Sequence, residues 1–77
     1  MKKSPPPKID QQTINEAISF VDSYPDQSKC EQAREVLLTH LPMHENVLDT
    51  VKSIIQEYSI SADVRMIFIG VAGKMII

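Results

Sequence analysis

Hydrophobic residues recur every three to four positions through three successive stretches of the chain, and in a fourth they stop alternating with polar ones. In the first stretch Ile14, Ala17, Ile18, Val21 and Tyr24 fall on one side of a helical projection, with Phe20 widening the stripe. Asn15, Glu16, Ser19, Asp22 and Ser23 fill the other side. The spacing predicts a helix over 10–24, capped by Asp10 and ended at Tyr24 because a residue that precedes proline avoids the α region. A second helix is predicted over 29–41. Ser28 and Glu31 would form a capping box at its start. Cys30, Ala33, Val36, Leu37 and Leu41 would form its apolar face, with Leu38 at the edge, and Pro42 would stop it. A third is predicted over 45–58, where Val47, Leu48, Val51, Ile54, Ile55 and Tyr58 share one narrow arc and Asp49, Lys52, Gln56 and Glu57 face water.

The fourth stretch, 64–77, reads VRMIFIGVAGKMII and carries only Arg65 and Lys74 as charges. Ser61 can cap a helix that runs to Ile77. The rival is a strand pair, since 64–69 suits a buried strand and 70–73 could turn. The cap, the helical context and the short loops favour helix. Gly70 and Gly73 oppose it, each by up to about 1 kcal/mol. On a helix Val64, Ile67, Phe68, Val71 and Met75 share one side, and Met66, Ile69, Gly73, Ile76 and Ile77 share the opposite one. One side suffices to close a four-helix core. The other must be covered by the chain itself or by another molecule. Met66, Ile69, Gly73, Ile76 and Ile77 are expected to meet a protein partner or a second copy, so that Ile69→Asp would break association with little loss of helix.

The expected fold class is therefore all-α: a compact four-helix domain over 10–77, arranged as two helical hairpins, behind a disordered, proline-containing N-terminal arm over 1–9. Ile14, Ala17, Val21 and Tyr24 map onto Leu48, Val51, Ile55 and Tyr58 at a constant offset of 34 residues. That spacing suits stacked hairpins, but two amphipathic helices of similar length produce such a match by chance.

Composition narrows the function classes. Seventy-seven residues make one domain, which buries about 60% of the unfolded surface. Aromatics are few, so Ile, Leu, Val and Met must build the core. The formal net charge is −2, and the basic residues are scattered apart from Lys2, Lys3 and Lys8, which does not favour nucleic acid. A single cysteine excludes an intramolecular disulfide and suits a reducing compartment or indifference to compartment. No apolar segment follows the N-terminal lysines as in a signal peptide, and the C-terminal block is too short to span a bilayer. The expectation is a cytoplasmic protein without membrane contact.

Candidate chemistry is sparse. His40 and His44 have the i, i+4 spacing of a helical metal pair, but Pro42 lies between them and breaks that geometry. They read as surface histidines at a turn. Cys30 lies on the apolar side of its helix, where a thiol packs rather than reacts. Gly73-Lys74 lacks the first glycine and the Ser or Thr of a phosphate loop. As a helix-turn-helix reader the third helix would present Asp49, Gln56 and Glu57 against one Lys52. The N-terminal Pro5-Pro6-Pro7 lacks the wider pattern of an SH3 ligand. Ile69-Gly70-Val71-Ala72-Gly73-Lys74-Met75-Ile76 resembles, over eight residues, the I-G-x-x-G-x-x-I core of KH RNA-binding domains. The resemblance implies a loop at 70–73 that clamps a nucleic-acid backbone. Val71 and Ala72 at its variable positions supply no basic group to hold RNA.

The sequence thus points to a non-catalytic protein–protein interaction module, whether subunit, adaptor or inhibitor, with no catalytic residue, metal or cofactor. The alternative is a small DNA-binding regulator, dimeric through the fourth helix, with Lys2, Lys3 and Lys8 on phosphate. A third class is a subunit that completes an active site on a larger partner.

Overall fold

Short polar side chains set where each helix begins. In the computed structural model, which describes residues 9–76, α1 spans Gln11–Asp22, α2 Gln27–His40, α3 Val47–Glu57 and α4 Ala62–Ile76. A 3-10 turn, Leu41–Met43, follows α2 and absorbs Pro42. No strand occurs among the described residues, so the fold is all-α with four helices. The N-terminal arm, apart from Ile9, lies outside the described residues, as does Ile77.

Asp10 caps α1 by accepting from the Thr13 amide at 2.8 Å, and Asn46 caps α3 by accepting from the Asp49 amide at 2.8 Å. Ser61 Oγ accepts from the Val64 amide at 3.3 Å ahead of α4. The expected box of Ser28 and Glu31 is not the cap of α2. Asp26 takes that place and accepts from both the amide and the hydroxyl of Ser28, so α2 begins two residues earlier than its apolar spacing suggests. The carboxylate wins because it is the stronger acceptor and leaves the Ser28 hydroxyl already engaged. Gln27 then joins the first two helices: its Nε2 donates to the carbonyls of Val21 and Tyr24 at 3.0 and 2.8 Å, adding at Val21 to the bond its carbonyl already accepts from the Tyr24 amide.

Packing converges on α4. It touches all three other helices, α1 most extensively, while α2 and α3 also meet each other. Seven consecutive residues, 67–73, are buried, so every side of α4 is covered for nearly two turns. A helix that is apolar all round belongs inside a core, and here it forms the axis of the domain. Ile14, Ala17 and Val21 of α1, Cys30, Ala33 and Leu37 of α2, and Val51, Ile54 and Ile55 of α3 close around it. Among the described residues Thr50 is the buried polar one, and its hydroxyl donates to the Asn46 carbonyl at 2.9 Å. The Cα radius of gyration is 12.1 Å, close to the roughly 11.5 Å expected of a compact chain of this length.

The two glycines are the reason α1 can lie so close. Both keep ordinary negative φ. A Cβ added at Gly70 would run into the backbone carbonyl of Ala17, and one at Gly73 would sit 2.7 Å from Ile14 Cγ2. The segment that resembles a KH loop is thus helical backbone pressed against a neighbouring helix, not a loop open to a phosphate chain.

Candidate functional site

The five residues assigned from sequence to a partner surface are not brought together at the surface. Ile69 is only 3% exposed, and Gly73, one turn further along the same side, is buried against Ile14 and Ile18. Met66 is half-buried and packs on the core. Ile76 emerges at 48% exposure near the end of α4, and Ile77 lies outside the described residues. The physical reason is the α1–α4 approach: small residues on both helices, Ala17 against Gly70, let α1 close over that side at Gly73.

Open grooves lie on either side of α2. Its buried stripe is narrow and built from small residues, Cys30 and Ala33, with Leu37 as the single large one. Such a stripe touches α4 along a line and leaves a shallow depression along each of its own edges. Two grooves result, each walled by helical neighbours one turn apart. The first, about 260 Å³, has Cys30, Glu31 and Arg34 on the α2 side and Val71, Lys74 and Met75 on the α4 side. The second, about 280 Å³, has Lys29, Gln32, Ala33 and Val36 facing Val64, Ile67 and Phe68. Both fall below the ~300–1,000 Å³ of sites that enclose a small molecule, a size that suits side chains inserted from outside.

Charges sit at the rims. Lys74 Nζ pairs with Asp22 Oδ1 across the α1–α4 seam, with both side chains about half exposed. Among the described residues Arg34 has no carboxylate at ion-pair distance. The Cys30 thiol is free and lines the first groove at 8% exposure. Asp26 stands at the N-terminal end of α2, and its carboxyl is held below the usual range. The Ser28 hydroxyl contributes most, followed after an opposing desolvation by the Ser28 and Lys29 amides and the Lys29 charge.

The histidines separate. His40 Nδ1 lies 2.9 Å from the Val36 carbonyl and its ring meets Tyr58 edge-on, while His44 follows the 3-10 turn and its amide donates to the Leu41 carbonyl. No group of three His, Cys, Asp or Glu among the described residues could hold a metal ion. No described helix is long and apolar enough to cross a membrane. The grooves were missed from sequence because they belong to the gap between two helices, although Cys30 and Ala33, small residues in an otherwise large-residue pattern, were the local sign of a shallow contact.

Comparison with protein-family models finds no match, and comparisons with curated proteins and with solved structures find none either.

Proposed function

We propose that this protein is a non-catalytic, cytoplasmic protein–protein interaction module that receives partner side chains in the grooves between α2 and α4. The single observation that carries the reading is the pair of apolar-floored grooves beside the thin α2 contact. Aliphatic and methionine side chains on a rigid helical frame, framed by a few charges, are what an interface core and rim require. Met75 supports it further, because a methionine wall adapts to irregular partners. A reducing compartment keeps Cys30 a thiol. The competing reading, a DNA-binding dimer joined through the fourth helix, loses support because Ile69 and Gly73 at the centre of its seam are buried within the chain, Gly73 against Ile14 and Ile18 of α1.

The test is in-cell cross-linking with a tagged chain, compared with a Val36→Arg/Met75→Arg variant that obstructs both grooves. Recovery of a defined partner by the parent chain and its loss in the folded variant is the expected result. An unchanged set of cross-linked proteins, or no partner for either chain, would overturn the reading.

A further inference from the structure

All ten carboxylates of the chain lie in residues 9–77, together with five of its eight Lys and Arg. Three of those five, Lys29, Arg34 and Lys74, line the two α2–α4 grooves, against one carboxylate, Glu31. Lys74 is already engaged by Asp22, and Lys29 acts on Asp26. Arg34 is left at the rim of the first groove without an ion-pair partner among the described residues. Cys30, Val71 and Met75 lie beside it in the same groove. An apolar floor beside an unengaged guanidinium on an otherwise acidic surface selects the sign of its ligand.

We infer that the first groove docks an acidic amphipathic helical segment of a partner protein, with an apolar side chain on Cys30, Val71 and Met75 and a carboxylate one turn away on Arg34. This rests on the interaction reading above. Guanidinium and carboxylate match as a two-pronged hydrogen-bonded pair, which fixes orientation as well as charge. Helix-in-groove recognition supplies the spacing, because neighbours one turn apart on the ligand face neighbours one turn apart on the groove walls. The chain's own N-terminal arm has the wrong sign to be the occupant: residues 1–8 carry three lysines and no carboxylate.

The experiment uses a fluorescein-labelled amphipathic helical peptide with leucines and glutamates one turn apart, and a counterpart with glutamine in place of glutamate. Binding to the full chain is read by anisotropy, with far-UV circular dichroism to verify that each variant is folded. The glutamate peptide is expected to bind about tenfold more tightly than the glutamine one, and Arg34→Glu to remove that preference. Occupancy should also slow maleimide labelling of Cys30. Equal binding of the two peptides, or a preference that survives Arg34→Glu, would overturn the inference, as would binding of a fluorescent fatty acid in place of the peptide. So would a doubled mass of the free chain that Arg34→Glu abolishes, since the occupant would then be a second copy. If neither peptide binds while the cross-linked partner is still lost with Val36→Arg/Met75→Arg, this inference alone falls. If that partner is also absent, the interaction reading falls with it.

Discussion

At the scale of single residues, Gly70 and Gly73 show how neighbours reverse an intrinsic preference. Glycine inside a helix costs about 1 kcal/mol relative to alanine, so both positions look improvable in isolation. At Gly70 the added methyl meets the Ala17 carbonyl, which belongs to a backbone that cannot swing aside. At Gly73 it meets Ile14 Cγ2 at 2.7 Å, a side chain that must shift, and Ile18 carbons at 3.1 Å, which can adjust by a few tenths of an ångström; neither is backbone. Overpacking a fitted contact costs about 1–3 kcal/mol. Gly70→Ala is therefore expected to destabilise by about 2 kcal/mol, and Gly73→Ala by less than about 1 kcal/mol, the two terms there nearly offsetting. Urea denaturation of both variants checks the order, and a Gly73→Ala chain less stable than Gly70→Ala would refute it.

At the scale of the element, the start of α2 depends on which acceptor reaches the free amides first. Asp26 holds the Ser28 amide and hydroxyl, and its folded carboxyl titrates below its unfolded value. A group with a depressed folded pKa contributes stability above the unfolded pKa and loses it as pH falls through the folded one. The contribution is thus complete at neutral pH and is lost progressively as pH falls below about 4 and on through the lower folded pKa. Asp26→Asn keeps a good capping residue without a titrating carboxyl. Its stability is expected to fall less steeply than that of the parent chain between about pH 5 and pH 2. Parallel acid limbs in thermal melts of the two proteins would contradict this. The helix start was legible only to within two residues, because Ser28 and Asp26 both satisfy the capping pattern and only the folded geometry says which is used.

At the scale of the whole molecule, the burial of α4 changes what its substitutions report. A chain of this size seldom has more than about 3–5 kcal/mol to lose. Ile69 lies in the packed centre, so an aspartate there leaves an unpaired buried charge worth about 3–5 kcal/mol, comparable to the entire stability. Ile69→Asp is now expected to unfold the chain, with loss of the helical circular-dichroism signal at room temperature, and not to act as a selective interface variant. A variant that kept the parent's melting temperature would show that Ile69 faces outward in solution. The 34-residue correspondence between α1 and α3 likewise separates in space: Tyr24 packs on Phe20 at 5.3 Å between ring centres, whereas Tyr58 stands half exposed against His40.

The four helices and their approximate bounds were determined by the sequence itself, because periodicity, prolines and capping residues act within a few positions of where they stand. The same local signals made α4 recognisable as a helix despite its glycines. They could not say which side of α4 would be covered, since that side is apolar all round and carries no marker of its own. Tertiary packing decided it: the Ala17–Gly70 approach drew α1 over Gly73, and Ile69 beside it is buried, while the thin Cys30–Ala33 contact left the flanks of α2 open. A groove between helices is a property of their separation and not of either helix, which is why Arg34, one solvated charge among several along the chain, gained a role only once Val71 and Met75 lay beside it.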